Sequence, residues 1–373
     1  MINTRAIIEE FCELVCIDSP SCREAEVNGF IQARLAEMGI EAHDDGRAEQ
    51  IGGNAGNLIA QVPGAEGVPT VLLNAHTDNV QPCCGIRPQA EGTIIRSAGD
   101  TILGADDKSG VAIILAALRE LLSEDLPHPP LEVVFTVYEE GGLHGAKNLD
   151  YSALGAQMGY VLDGGRQMGV ITNAAPSSFG LAWQVRGKAA HAGVCPEQGV
   201  NSIQAAAEAI ANIPLGRLDH ETTSNIGLIE GGAATNIVPA LTVVRGEARS
   251  HSEEKLQAQV NRMIEAFERA GGKYGAQVEG QVRRSYTRFH IPRDEPVLDY
   301  AWRAAQRLGF EPTAETGGGG SDANVFNERG IPSVILATGP AEVHTTGEWV
   351  DAERMAESAR WLVEILGMIA AGA

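Results

Sequence analysis

At five places in this chain a histidine or an acidic residue stands just past an apolar strand or in a glycine-rich turn. That recurrence limits the possible folds more than any other feature. TVLLNAHTDNV (70–80) carries a buried strand, Val71–Leu73, into His76 and Asp78. ILGADDKSG (102–110) holds Asp106 and Asp107 in a turn ahead of the apolar run VAIILAAL. LEVVFTVYEEGG (131–142) ends on Glu139 and Glu140, and MGYVLDGG (158–165) on Asp163. SVILATGPAEVHTTGEWV (333–350) opens from a strand into a loop with His344. Open α/β sheets place their ligands at the carboxyl ends of strands. The pattern predicts an α/β fold, a mixed sheet flanked by helices.

Helices alternate with these strands. Residues 3–17 read as amphipathic, with Ile7, Ile8, Phe11, Leu14 and Val15 inward. The loop DSPSCRE leads to a second helix, Glu24–Met38, ended by Gly39. Further helices are predicted at about 109–123 and at 294–308. Between about 177 and 288 the pattern changes. FGLAWQVRG alternates as a strand, Asn201–Ile213 is an Ala-rich helix, and SNIGLIEGG and NIVPALTVVRGEARS form a strand pair. Glu253–Ala270 is a second amphipathic helix, and AQVEGQVRRSY closes with a strand. The order βαββαβ is that of a ferredoxin-like α+β unit. At 373 residues the chain exceeds one ordinary core. The expectation is one domain from 1–176 and 289–373, with 177–288 inserted into it.

Lys+Arg 28 against Asp+Glu 49 gives a net charge of −21. That balance argues against nucleic acid or an anionic membrane as partner. No apolar run reaches the roughly 20 residues of a membrane span. MINTRAIIEEFCELV, with Glu9, Glu10 and Glu13 among its apolar residues, does not read as a signal peptide. The six Cys contain no C-x-x-C pair, which suits free thiols in a reducing cytoplasm.

The chemistry lies in how the acids are grouped. His76 and Asp78 alternate along an extended chain and so project to one side. One can ligate a metal while the other orients it. Two adjacent carboxylates, Asp106 and Asp107, repel unless a cation is set against them; the competing explanation is an Asx-type turn that caps a helix. Glu139 and Glu140 point different ways, so one can bind metal while its neighbour takes a proton from water. His144, in GGLHGAK, reads as polar packing and not as a ligand. His76, Asp106, Glu140, Asp163 and His344 together suit two borderline divalent ions, with zinc the first choice. TGGGGSDANVF (316–326) lacks the Lys and preceding strand of a phosphate-binding P-loop.

HTDNV, ILGADDKSG, EEGG, VLDGG, AHAG, ATNIVP, GGGSDAN and the late His344, taken in this order, resemble the dinuclear-zinc aminoacyl hydrolases. That group includes peptidase T, carboxypeptidase G, the aminoacylases and succinyl-diaminopimelate desuccinylase. The resemblance runs from about residue 5 to 365, and its wording is nearest the peptidase T-like branch. It implies that His76 and Asp163 bind one metal and Glu140 and His344 the other, with Asp106 bridging. Glu139 would be the general base and Asp78 the partner of His76. The Asp106–Asp107 peptide would be cis. His191 in AHAG would be a lid histidine that stabilises the oxyanion, often across a dimer. Asn236 and Arg249 would bind the substrate's backbone or carboxylate, and Ser321, with the glycines before it, would belong to a substrate-side loop and bind substrate. Pro82-Cys83-Cys84 departs from the resemblance; the two thiols are either incidental packing or a point of sensitivity to oxidation or foreign metals.

The resemblance implies a cytoplasmic exopeptidase, tripeptidase-like, acting on small peptides with two divalent ions. Zinc is expected, with cobalt or manganese as alternatives, and a homodimer would form through the inserted lid. An N-acyl-amino-acid deacylase would use the same site. A non-catalytic peptide-binding scaffold would have lost a ligand or the base, and all seven central residues are present.

Overall fold

A computed structural model describes residues 2–372. Its largest sheet has nine strands. Along its path run Ala42–Asp44, Leu58–Val62, Leu131–Thr136, Val71–His76, Met158–Gly164, Ser333–Ala337, Val170–Ala175 and Phe289–His290. Thr313–Thr316 pairs with Val170–Ala175 off that path. The four strands from Leu131–Thr136 to Ser333–Ala337 are mutually parallel, and their outer neighbours are antiparallel, so the sheet is mixed. Val71–His76 and Leu131–Thr136 are buried at every position, as strands covered on both faces must be. Their carboxyl ends all open on one side of the sheet.

The helix Ala105–Ser123 packs against Val71–His76 and Met158–Gly164 and against the helices Thr4–Val15 and Ala352–Ala370. It is regular only from Lys108 onward, in line with the predicted start near Ser109. Asp106 and Asp107 depart from helical angles, and the peptide between them is cis. Gly110 has no side chain because a Cβ there would run into the Leu162 carbonyl oxygen. This close approach lets the first turn of the helix lie directly on the neighbouring strand.

The first helix is capped by Asn3, whose side chain accepts from Arg5 N and Ala6 N. Its buried stripe is Ile7, Phe11, Leu14 and Val15, as expected, whereas Ile8 is only half-buried. Glu10 is buried instead, because Arg119 meets it with two hydrogen bonds of 3.0 and 3.1 Å.

Two compact units emerge. One comprises the chain up to Ala174, His290–Gly317 and Ser321 onward; the other comprises Ala175–Phe289 and Gly318–Gly320. The second has a five-stranded antiparallel sheet in the order Gly216–Arg217, Thr222–Gly231, Leu241–Ser250, Ser177–Arg186, Gln277–Tyr286. Apart from its two-residue edge strand, that is the ferredoxin-like arrangement. The helices Ser202–Ala211 and Glu253–Tyr274 cover the sheet through a core in which Trp183 stacks on Phe267 at 4.1 Å. The longer helix passes the expected end at Ala270 and stops at Gly275, which takes φ +71. Gly271 is needed inside it, since a Cβ there would crowd Val278.

A third, four-stranded sheet in the larger unit joins Pro340–Ala341, Trp349–Asp351, Ile94–Ser97 and Pro88–Glu91. The His344 loop spans its first two strands. Among the described residues no helix is long and apolar enough to cross a membrane.

Candidate metal centre

The sheet order puts the strand ending at His76 between the strand that leads to Glu139 and Glu140 and the strand that carries Asp163. The turn before helix Ala105–Ser123 brings in Asp106, and the loop after Pro340–Ala341 brings in His344, with φ +63. His76 Nε2 lies 3.2 Å from Asp106 Oδ1 and 3.9 Å from Asp163 Oδ1. His344 Nε2 lies 3.1 Å from Asp106 Oδ2 and 3.0 Å from Glu140 Oε1. Each oxygen of Asp106 thus faces a different histidine. Ligand atoms of His76, Asp106 and Glu140 lie within 4.8 Å of one another, as do those of His76, Asp107 and Asp163. Asp107, which the sequence reading left without a ligand role, therefore belongs to the same cluster. Ser321 Oγ donates to Asp163 Oδ2 at 2.9 Å.

Carboxylates in and around the cluster hold its backbone. Asp78 stands 3.4 Å from His76 Nδ1, the pairing expected of it, and also accepts from Glu139 N (2.9 Å), Glu140 N (3.3 Å) and Ser21 Oγ (2.6 Å). Asp107 accepts from His76 N at 3.2 Å and Gly110 N at 3.1 Å. Glu24 Oε1 accepts from Cys22 N (2.8 Å) and Tyr138 N (3.1 Å), and both of those residues have positive φ. Glu348 accepts from Gly104 N, Ala105 N and Asp106 N. Thr136 Oγ1 donates to the buried Asp322. Buried Lys108 donates to the Ile17 carbonyl at 2.8 Å, which ties the segment before Glu24 beneath the site. The sequence reading missed Glu24, Glu348 and Asp322. Glu348 had one weak signal, its place four residues after His344 in the same loop.

The electrostatics test whether cations fit. Burial pushes the Glu139 and Asp163 carboxyls well above their ordinary range, and neighbouring acids push further. Burial alone would pull His76 down, yet Asp106 and Asp78 hold it well above its usual value. Contacts with Asp106 and Glu140 lift His344 to about 10. Burial would raise Asp106, but the two histidines win and hold it low. The crowding of acids favours protons on the two histidines and on the buried Glu139 and Asp163 carboxyls. Divalent cations among the same oxygens and imidazoles would replace those protons, so the donor set fits such ions.

The remaining expected residues lie in the second unit. His191 is exposed and pairs with Ile237 in an isolated antiparallel bridge, and Ala192 N donates to Asn236 O at 3.0 Å. AHAG and ATNIVP are therefore neighbours. His191 Nδ1 accepts from Gly193 N at 3.1 Å. Arg249, on Leu241–Ser250, meets Glu247 at 2.9 Å, while its Nε is buried without a hydrogen-bond partner.

His144 stacks on Tyr138 at 4.6 Å, the packing role read from the sequence. All six cysteines are free. Cys83 is buried, and burial pushes its thiol up to about 12, so it holds little of the reactive thiolate.

The sequence profile of Peptidase family M20/M25/M40 matches residues 72–367. The uncharacterized protein YqjE of Bacillus subtilis (strain 168) is 40% identical over 98% of this chain and 99% of its own length. The structure of aminopeptidase PepT from Bacillus cereus ATCC 10987 superposes with TM-score 0.88 at 43% identity, covering 99% of each chain. A tripeptidase from Staphylococcus aureus subsp. aureus Mu50 gives TM-score 0.94 at 36% identity, covering 100% of each. The chain belongs to peptidase family M20/M25/M40, in its peptidase T-like branch.

Proposed function

We propose that this peptidase is a two-cation exopeptidase that cleaves short peptides, with free tripeptides as the substrate class. The observation that carries the reading is Asp106 between two histidines, one oxygen to each, beside a buried Glu139. His76 and Asp163 would hold one cation, Glu140 and His344 the other, and Asp106 would be shared. Zinc suits the mixed imidazole and carboxylate set, with cobalt and manganese as workable substitutes. When bound, such ions lower the pKa of water toward neutrality and polarise the scissile carbonyl.

Glu139 accepts a proton from the attacking water and returns it to the leaving amine. Its backbone N–H is fixed by Asp78, so its main chain is held in place before substrate arrives. Asp78 also holds the His76 ring in orientation, and Ser321 holds that of Asp163. In this reading His191 stabilises the oxyanion, Arg249 pairs with the substrate's terminal carboxylate and Asn236 with its backbone. The Arg249 side chain is about one-third exposed, so its guanidinium is open to such an anion. We also infer a homodimer formed through the second unit and a cytoplasmic location; the free cysteines support the latter.

The test is turnover of a free tripeptide, the same tripeptide amidated at its C-terminus, a dipeptide and an N-acetyl amino acid. Chelator-stripped protein is used with zinc, manganese or cobalt returned. Metal-dependent preference for the free tripeptide is the expected result. Preference for the acetylated amino acid would make the chain a deacylase with the same site. Two bound ions without turnover of any substrate would favour a binding scaffold.

A further inference from the structure

We propose that Glu348 is a positioning residue that fixes Asp106 relative to His344 and thereby assembles the cation site those two residues share with Glu140. The inference rests on the two-cation reading above.

Glu348 is 1% exposed, in the loop that carries His344. Its Oε2 accepts from Gly104 N at 2.6 Å and Ala105 N at 3.2 Å, and its Oε1 accepts from Asp106 N at 3.2 Å. These donors lie in the turn ahead of Lys108, where the helix becomes regular. A buried carboxyl group that accepts from three backbone amides is a firm clamp, since hydrogen bonds are stronger in a medium of low dielectric. Both of its oxygens are engaged, so the Asp106 backbone is held against translation and against rotation.

The clamp has a firm base. The next residue, Trp349, begins the strand Trp349–Asp351, which pairs with Ile94–Ser97. Its ring lies against the guanidinium groups of Arg96 at 5.2 Å and Arg166 at 4.7 Å. His344 lacks such support: its side chain is half exposed. What keeps its loop closed is a turn in which Glu348 N donates to Thr345 O at 3.1 Å and Thr345 Oγ1 donates to Glu342 O at 2.7 Å. Glu348 therefore joins the end of the His344 turn to the backbone of Asp106, and the 3.1 Å approach of His344 Nε2 to Asp106 Oδ2 follows from that connection. The other ion would keep His76 and Asp163, whose supports are Asp78, Asp107 and Ser321.

Glutamine at this position has one acceptor oxygen and sets an NH2 group against an N–H donor. Stripped wild-type and Glu348→Gln proteins are titrated with Co2+, followed by calorimetry and by the visible absorption of bound cobalt, and the Tm of each stripped protein is measured. The wild type should bind two ions. In the variant the ion held by His344 and Glu140 should bind about 10- to 100-fold more weakly, and the ion held by His76 and Asp163 should lose less, because Asp106 serves both but is the main support only on the His344 side. Turnover should return at high cobalt, with KM for peptide unaltered. Wild-type binding of both ions by the variant, or equal weakening of both, would overturn the assignment. Should Glu348→Gln fail to fold, amide hydrogen exchange in stripped wild type decides. Protection of Gly104 and Asp106 supports the clamp, and fast exchange at both refutes it. Failure of the wild type to bind a second ion would instead defeat the two-cation reading.

Discussion

The carboxyl end of the parallel strands and the second unit solve opposite problems. Around His76 the polar groups are buried, and almost every one is tied to backbone: Asp78 to two amides, Asp107 to two, Glu24 to two and Glu348 to three. In the second unit the interior is apolar, from Trp183 and Phe267 outward, and His191 and Asn236 stand on exposed turns. Groups that must share charge at close range need fixed positions, which only satisfied backbone supplies. Residues on exposed turns of a packed two-layer unit need no such ties.

The contrast makes ranked predictions. Glu139→Gln should lower turnover by about 10²- to 10⁴-fold with both ions still bound, measured by steady-state kinetics beside metal analysis. Near-normal turnover there would remove the base from the mechanism. Phe267→Ala should cost about 3–5 kcal/mol of stability, seen as a drop in Tm, while the affinity for cobalt stays the same. A parallel fall in metal affinity would erase the distinction between the two regions. Asp78→Asn removes the charge that orients His76, and metal affinity should fall about 10- to 100-fold by calorimetry.

The smallest effect is a pH dependence. Burial, then the charge of Asp78, raises the Glu24 carboxyl to about 7 from an ordinary value of 4.5. Between those values the folded chain keeps a proton that the unfolded chain has released. Its contribution to stability is therefore complete below the unfolded value and is lost as pH rises through 7, at most about 1.4 kcal/mol per pH unit. Glu24→Gln keeps an oxygen for Cys22 N and Tyr138 N and carries no charge to bury. Urea midpoints from pH 5 to 8 should fall in wild type relative to the variant; parallel curves would show that Glu24 is ionised throughout.

What could be read in advance was local. A strand end or glycine-rich turn carrying an acid or histidine is a pattern of a few residues, and it singled out His76, Asp106, Glu139, Glu140, Asp163 and His344, which the fold brings close together. The βαββαβ order of the second unit was visible because each element has its own periodicity. Glu348 and Glu24 were not visible, because their partners lie far away in sequence, at Asp106 and Tyr138, and an acid in a loop looks like solvated surface. The buried Glu10 escaped for the same reason: its partner is Arg119, on another helix. Residues that bind a common ion announce themselves by type. Residues that hold backbone do so only through the fold.

The sheet order has a consequence for how the chain comes into being. Met158–Gly164 and Val170–Ala175 are close in sequence, yet Ser333–Ala337 lies between them. The place it fills must wait through the whole second unit. At a ribosomal rate of about 5–20 residues per second, the roughly 180 residues from Asp163 to His344 take on the order of 10–35 s to emerge. Throughout that interval the nascent chain has His76, Asp106, Glu140 and Asp163 but neither His344 nor the Glu348 clamp. A peptidase assembled in this order gathers its candidate ligands only once the segment beyond the second unit has emerged.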